Sequence, residues 1–242
     1  MAATLCTGHV IDSHSHQWRQ LLFAPSGAMT VFGGRSSWMV PPGYAVLIPA
    51  GSTHSIRMWG DVSARFLYFP TTLDSQALEG AECRVIPVTP LLRELVLRVI
   101  EFHALDSRVP EHQRLLAVLL DEIALAQANL APIMPLMLPL PADPRALRVA
   151  RHILGNPACD DTIDALARRF AASRRTLERL FQRETGLSFG LWRQKARLLD
   201  SIRLLAEGRS VTDTALDAGY SSLSAFIAAF KKTFGYTPGR LQ

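Results

Sequence analysis

The spacing of hydrophobic positions changes near the middle of the chain. In the first part, short apolar stretches are separated by turns rich in glycine and proline. Five stretches predict β-strands: Gln20–Phe23, Met29–Phe32, Trp38–Val40, Tyr44–Ile48 and Arg65–Phe69. Short strands at even spacing are typical of a β-sandwich or a small barrel. We therefore predict a β-domain over residues 1–88.

From Pro90 onward the apolar residues recur with a helical period, interrupted at Pro110. Leucine, valine and isoleucine dominate both apolar faces: Leu91, Leu92, Leu95, Val96, Val99, Leu115, Leu116, Val118, Leu119 and Ile123. The pattern predicts a helical pair over residues 89–130. So much apolar surface is typical of a pair that also contacts a second copy of the chain, giving a homodimer. The alternative is that both helices only cover the β-domain.

A proline-rich segment separates this part from a helical C-terminal half. Residues 131–144 include five prolines, which favour an extended connector because proline fixes its own backbone angle and lacks an amide donor. We predict a linker over residues 131–143 and a helical domain over residues 144–242. The whole chain is then an α+β multidomain protein.

Composition narrows the class of protein. The chain has 242 residues and is 48% hydrophobic, enough for packed cores and against general disorder. No apolar run is long enough for a membrane helix, and the first residues do not resemble a secretory signal. Cys6, Cys83 and Cys159 are too scattered for a disulfide scaffold or a cysteine zinc site. We expect a cytoplasmic protein without membrane contact.

The charge is divided unevenly between the two halves. Residues 1–142 hold 9 Lys or Arg and 11 Asp or Glu, whereas residues 143–242 hold 17 and 10. A basic half of about 100 residues joined to a nearly neutral one indicates that only the second half contacts a polyanion. Chance variation in surface charge is the alternative explanation.

The basic half contains one helical pattern twice. Each copy is a short helix, a tight turn and a second helix with apolar residues four positions apart, closed by glycine. The copies span Ile163–Gly186 and Val211–Gly235. This arrangement is the helix-turn-helix pattern, and its repetition within a basic segment predicts double-stranded DNA as the partner.

The second copy carries a specific signature. Ala218-Gly219-Tyr220, Phe226, Phe230-Lys231, Phe234-Gly235 and Pro238, preceded by Leu177, Phe181 and Gly186, resemble the AraC/XylS family of transcription regulators. The resemblance implies two recognition helices that enter successive major-groove segments on one face of the duplex. A linking helix of about 18 residues, roughly 27 Å long, suits grooves about one turn apart.

The predicted recognition helices differ in their outward residues. On the first, Leu177, Leu180 and Phe181 are predicted to face the core, which leaves five polar residues as candidate DNA contacts: Arg174, Arg175, Glu178, Arg179 and Gln182. Of these, Arg175, Glu178 and Arg179 match the base-contacting positions of the family. Such side chains can read guanine, cytosine and adenine. A merely solvated charged face is the alternative.

On the second recognition helix, Leu223, Phe226 and Phe230 are predicted to face the core. The remaining candidate DNA contacts are small or cationic: Ser222, Ser224, Ala225, Lys231 and Lys232. Ala228 stands where the family often has a long polar residue. This helix is therefore expected to position the protein on phosphates while the first helix specifies sequence.

Histidines in the β-domain follow a second known pattern. His14-x-His16-x₃-Gln20-x₆-Gly27 and Gly43-x₅-Pro49-x-Gly51-x₂-His54 resemble the two cupin motifs, with Gln20 in place of the usual glutamate. His14 and His16 on one strand would point to the same face. Closure of a cupin-like barrel would add His54 and Gln20, which predicts one divalent transition metal (Ni, Zn, Mn or Fe) per chain. The alternative is a cluster that only forms hydrogen bonds.

The neutral Gln20 favours sensing over catalysis. A cupin oxygenase usually needs an anionic ligand that balances the changing charge of its metal, so we predict that the protein is not an enzyme. Four further residues are predicted to line an effector pocket for a flat aromatic molecule: Trp18, Trp38, Tyr44 and Met58. Plain core packing is the alternative for each of them.

Together these patterns predict a dimeric bacterial transcription regulator. The stretch Trp38–His54 resembles the family's subgroup of 2-nitroimidazole-resistance regulators, which implies control of a neighbouring efflux or metabolic gene. Two other interpretations stay open. One is a regulator whose signal is the metal ion itself, and the other is a cupin-type enzyme fused to a DNA-binding domain.

Overall fold

The computed structural model describes residues 2–128 and 136–241 and divides the chain into two compact units. One unit holds residues 1–34 and 38–136, and the other holds residues 35–37 and 137–242. Residues 131–135 of the predicted linker lie outside the described residues. The rest of that linker includes a short extended stretch, Met137–Pro139.

Within the described residues, the N-terminal unit contains nine strands and two α-helices, except that the start of the fifth strand is assigned to the other unit. The strands are β1 Ala2–Leu5, β2 Val10–His14, β3 Arg19–Phe23, β4 Ala28–Gly33, β5 Ser36–Val40, β6 Tyr44–Ile48, β7 His54–Trp59, β8 Val62–Phe69 and β9 Arg84–Pro87. The helices are α1 Pro90–Glu101 and α2 Pro110–Ala128. All five predicted strands are present, and no end differs from its prediction by more than three residues.

The strands form two sheets, which confirms the predicted cupin-like β-architecture. One sheet has the order β1-β8-β3-β6-β9, and the other contains β5-β4-β7-β2. Neighbouring strands run antiparallel in every pair for which the register is defined, such as β3 with β8 and β2 with β7. The connection between β2 and β3 therefore passes from one sheet to the other, and the histidine motif begins at that point.

Side-chain alternation along the strands separates two cores. Leu22 on β3 is buried on one face of the sheet. Its neighbours Leu21 and Phe23 point to the other face and pack with the helices. That second core includes Leu92 of α1 and Leu119 of α2. The helical pair thus covers the outer face of the first sheet. This coverage is what the second interpretation of the apolar helix faces predicted.

The C-terminal unit contains six α-helices after the strand β10 Met137–Pro139. They are α3 Pro144–Gly155, α4 Ile163–Arg169, α5 Arg174–Thr185, α6 Phe189–Ala206, α7 Val211–Asp217 and α8 Leu223–Phe234. Hydroxyl side chains cap five of them by accepting from backbone N–H groups: Thr162, Ser173, Ser188, Ser210 and Ser222. The pairs α4–α5 and α7–α8 are the two predicted helix-turn-helix units, and α6 links them.

Glycines close both predicted recognition helices, α5 and α8, in the expected way. Gly186 after α5 and Gly235 after α8 adopt left-handed backbone angles, with φ of 73° and 81°. Such a C-cap lets the glycine N–H bond a carbonyl in the last turn of the helix. None of the helices that the structure describes is both long and apolar enough to cross a lipid bilayer.

Candidate functional site

Three histidines converge at one end of the β-sandwich. His14 on β2 lies directly opposite His54 on β7, and their ring centroids are 4.4 Å apart. His16 lies 5.1 Å from His54 and 5.8 Å from His14 by the same measure. The three residues can each present a ring nitrogen within 4.8 Å of the other two. That spacing brings three imidazole donors together at one point.

The expectation that His14 and His16 share one strand is wrong. Strand β2 ends at His14, and its pairing with β7 is irregular between Ile11 and His14. His16 lies in the connection to β3, where the chain leaves one sheet for the other. The irregularity ends the regular alternation, so His16 reaches the cluster through the path of the connection rather than through strand periodicity.

Each imidazole is held in one orientation by the backbone. Nδ1 of His14 lies 2.8 Å from the carbonyl oxygen of Asp12. Nδ1 of His16 lies 2.7 Å from that of Trp18, and Nδ1 of His54 lies 2.9 Å from that of Ser52. A carbonyl oxygen only accepts, so every Nδ1 carries a proton and donates it. In the neutral rings the lone pairs are therefore on Nε2, which is the arrangement typical of histidines that bind a metal.

His54 contributes a buried ring nitrogen, Nε2, that forms no hydrogen bond within the described chain. The residue is 1% exposed, and its Nε2 finds no hydrogen bond within the described chain. Burial is the main cause that lowers the pKa of His54, and the neighbouring His14 and His16 lower it further. The ring is thus neutral at neutral pH, with a buried lone pair that nothing satisfies.

Gln20 joins the cluster from the opposite sheet. Its side chain is buried, and its Oε1 lies 3.0 Å from Nε2 of His16. Because Nδ1 of His16 already carries the proton, two lone-pair atoms face each other at this contact. A shared cation, a second proton on His16 or an inverted amide would satisfy them. Of these, a cation would also satisfy His54.

Tyr68 is a neighbour of the cluster that the sequence motifs did not reveal. It lies opposite Gln20 in the pairing of β3 with β8, and its hydroxyl accepts a 3.3 Å hydrogen bond from Nε2 of Gln20. Its ring meets that of His16 edge to face at 5.7 Å. Its position directly opposite Gln20 in the pairing of β3 with β8 is the signal that could have identified Tyr68.

Of the four predicted effector residues, Trp18 alone lines the cleft beside β8. Trp38 and Met58 are buried in the core of the sandwich, and Tyr44 is partly buried at the start of β6. Trp18 instead is half exposed and lines a cleft beside β8, in which the other three take no part. Trp18, like His16, lies in the connection that follows the end of β2. The alternation of side chains along the strand therefore does not place it in the interior.

The first recognition helix, α5, presents all five predicted DNA contacts to solvent. Two of them are already paired, since Arg174 donates to Glu178 at 2.9 Å and to Asp164 at 3.4 Å. Within residues 2–128 and 136–241, the guanidinium groups of Arg175 and Arg179 have no ion-pair partner. These two arginines lie four positions apart, hence on one face of the helix. Among the described arginines of α5, they are the two outside ion pairs, since Arg183 pairs with Glu184.

The second recognition helix, α8, differs from its prediction at one residue. Leu223 was expected to face the core with Phe226 and Phe230, which are buried, but it is 38% exposed. It is the first residue of α8, at an end of the helix where the packing of the core stops, and Phe234 fills the core at the other end. The hydroxyl of Ser222 is engaged as the helix cap, which leaves it less available for DNA.

The remaining predicted contacts on α8 are accessible. Ser224 and Ala225 are exposed in its first turn, and Lys231 and Lys232 are exposed in its last turn. The side chains near the start are too small for bidentate hydrogen bonding to a base. The two helices thus present different chemistry, with long cationic side chains on α5 and small ones followed by lysines on α8.

Known protein families match both units of the chain. Residues 4–128 match the family described as the AraC-like ligand binding domain, and residues 166–242 match the helix-turn-helix domain family. A solved AraC-type DNA-binding regulator from Chromobacterium violaceum is 26% identical, with 41% of this chain and 90% of that chain covered at a TM-score of 0.40.

Two curated relatives align with most of the chain. The HTH-type transcriptional regulator ExsA of Pseudomonas aeruginosa is 27% identical over 88% of this chain and 82% of its own length. The HTH-type transcriptional regulator NimR of Escherichia coli is 35% identical over 94% of this chain and 80% of its own length. With both units matched and this degree of identity over nearly the whole length, the chain belongs to the AraC family of transcriptional regulators.

Proposed function

We propose that this AraC-family regulator senses its signal through a metal-loaded N-terminal unit and reads its operator mainly through helix α5. The observation that carries the proposal is the buried, unpartnered Nε2 of His54, which faces a cluster of two further imidazoles. The regulated gene is expected to lie nearby and to serve efflux or metabolism, as the subgroup resemblance implies.

The histidine cluster fits one divalent transition metal ion. Imidazole nitrogen is a preferred ligand of Zn²⁺, Ni²⁺, Mn²⁺ and Fe²⁺ in varying degree, and three such donors already converge. The backbone carbonyls that hold each Nδ1 keep each Nε2 free to coordinate, so little reorganisation is needed. Gln20 Oε1, next to His16 Nε2, would supply a fourth, neutral ligand.

The neutrality of this donor set supports a sensing role. Three imidazoles and an amide add no negative charge, so they suit a metal whose oxidation state stays constant. Through His14, His54 and Gln20 the ion would link β2 and β7 of the second sheet with β3 of the first sheet. Binding would therefore stabilise the relative position of the sheets in this unit. A regulator whose signal is the ion itself remains the second candidate, favoured by the partial exposure of His14 and His16.

Recognition of DNA is divided between the two helix-turn-helix units. Arg175 and Arg179 on α5 have the length and the free donors for bidentate contact with guanine, and Arg174 and Glu178 reduce each other's availability. On α8, Lys231 and Lys232 suit phosphates. We assign sequence specificity to α5 and positioning to α8.

A second copy of the chain fits the outer side of helix α2. Val118 is 43% exposed and Leu125, seven positions later, is exposed on the same face. Ala117, Ala124 and Ala128 are exposed beside them. Small and aliphatic residues at this spacing allow two helices to pack closely. Since α2 already covers the first sheet with its other face, it would lie between that sheet and the partner.

Sequencing of captured DNA tests the regulatory function. Genomic fragments of the source bacterium are incubated with the purified protein, recovered with it and sequenced, and the enriched sites are then footprinted. We expect protection of two segments about one helical turn apart on one face of the duplex. Recovery without enrichment of any site would contradict the proposal.

A further inference from the structure

A cleft of about 470 Å³ opens between strand β8 and the helical pair of the N-terminal unit. Its inner wall includes Phe69 and Leu119, which are buried. Val99 and Ile100 at the end of α1 form another wall, and Trp18 approaches from the connection between β2 and β3. The cleft therefore lies where the end of β8 meets the helical pair.

The lining of this cleft is apolar and carries no formal charge. The lining side chains that the structure describes include no aspartate, glutamate, lysine or arginine. Trp18 and Tyr68 are 49% and 44% exposed, so two large aromatic surfaces remain in contact with water. Among these described lining residues, polar side-chain atoms come from Trp18, Tyr68, His103 and Ser107. Mostly apolar walls with a few polar groups are typical of small-molecule sites of this size.

The backbone at one edge of the cleft adopts an uncommon conformation. His103 follows α1 with a φ of 60°, in the left-handed region that side chains other than glycine rarely occupy. Its N–H donates to the carbonyl of Ile100 at 3.0 Å, and its Nδ1 lies 3.2 Å from the carbonyl oxygen of Glu101. Strained residues of this kind concentrate at functional sites.

Tyr68 connects the cleft with the histidine cluster. It lines the cleft, and it also contacts Gln20 through a hydrogen bond and His16 through its ring. A molecule in the cleft would thus be separated from His16 by a single side chain. A molecule bound in the cleft and the histidine cluster would therefore both contact Tyr68.

We propose that this cleft is the effector site and that it binds a neutral, largely apolar small molecule containing an aromatic ring. Trp18 and Tyr68 would stack on the ring, and the Tyr68 hydroxyl or His103 would bond one polar substituent. The inference rests on the proposed function as a ligand-responsive regulator. It places the effector outside the sandwich interior, whose Trp38 and Met58 are buried core residues.

Binding of the neutral fluorophore N-phenyl-1-naphthylamine to the full-length protein tests the proposal. Ala104 lines the cleft and is exposed, so Ala104→Trp should fill part of it and weaken binding about tenfold or more. Ala81→Trp adds the same side chain at an exposed position outside the cleft and should leave the Kd unchanged. Trp18→Ala, which removes an exposed aromatic wall, should weaken binding about fivefold.

Operator binding without the fluorophore separates the two proposals. The variants should retain the operator affinity of the parent protein and its unfolding transition. If the fluorophore does not bind, or if Ala104→Trp and Trp18→Ala both bind it like the parent while operator binding persists, the cleft proposal is wrong and the regulatory function stands. If the parent protein selects no operator, the regulatory function itself fails.

Discussion

His54 lies directly opposite His14 across the antiparallel pair of β7 and β2, and the two rings are 4.4 Å apart. One strand pair therefore supplies two of the three imidazoles. His16 adds the third from the connection that leads into the other sheet. The cluster is consequently sensitive to the position of that connection relative to β7.

Gln20→Glu should tighten metal binding about tenfold, because it adds an anion next to His16 Nε2. Without metal, the same change places a carboxylate at a buried position and should lower the thermal midpoint, which added metal should restore. Isothermal titration with Zn²⁺ and thermal unfolding measure both effects. Gln76→Glu, an exposed change elsewhere in the unit, is the control. Equal affinities of the two variants would exclude Gln20 from the site.

Arg179→Ala should lower specific operator binding by about 1–3 kcal/mol and affect random DNA much less. Lys231→Ala should weaken both kinds of DNA similarly and reduce the salt slope by about one unit. The reason is that Arg179 lies unpaired on α5, whereas Lys231 lies in the last turn of α8. Fluorescence anisotropy at several salt concentrations measures these effects. The same loss on operator and random DNA for both variants would contradict the division between the helices.

The metal-free N-terminal unit should lose stability as the pH falls below about 6.5, the value at which a histidine in the unfolded chain takes up a proton. Burial lowers the pKa of His54 in the folded state, so the unfolded state binds more protons in this range. The stabilising contribution is thus present above about pH 6.5 and is lost below it. Urea unfolding with chelator at pH 7.5 and 5.5 measures it. His54→Asn should show a smaller difference between the two pH values, and an unchanged difference would contradict this account.

Val118→Glu should shift the protein from dimer to monomer, because it places a charge on the apolar outer face of α2. Sedimentation velocity measures the change in mass. Ala81→Glu adds the same charge at an exposed position outside α2 and should leave the dimer intact. A parent protein that is monomeric at all concentrations, or a Val118→Glu variant that remains dimeric, would refute this interface.

Sequence patterns predicted most of the helical unit because its signals are local. Closing glycines and the period of apolar residues depend on neighbours within a few positions, and both match the prediction except at Leu223. The missed strands β1, β7 and β9 contain polar residues or are only four residues long. Their pairing partners rather than their composition make them strands.

The parts of the candidate site that escaped prediction depend on tertiary structure. The motif gives no sign of the irregular end of β2. For that reason the sequence predicts His16 on a strand and Trp18 in an interior effector pocket. The ion pair between Arg174 and Glu178 depends on side-chain rotamers. Tyr68 meets Gln20 only because of the register of β3 with β8. The contact between Gln20 and Tyr68 joins residues far apart in the chain, which periodicity does not report.

Elemental analysis of protein purified without chelator or histidine tag tests the central claim most directly. We predict about one equivalent of a divalent transition metal per chain, as the three converging imidazoles imply. His54→Ala should lose it and keep its operator affinity, because His54 lies in the N-terminal unit. The control His9→Ala, at an exposed histidine outside the cluster, should retain the metal. A metal content near zero in the parent protein, unchanged after addition of nickel, zinc, manganese or iron, would contradict the account and reduce the cluster to a structural one.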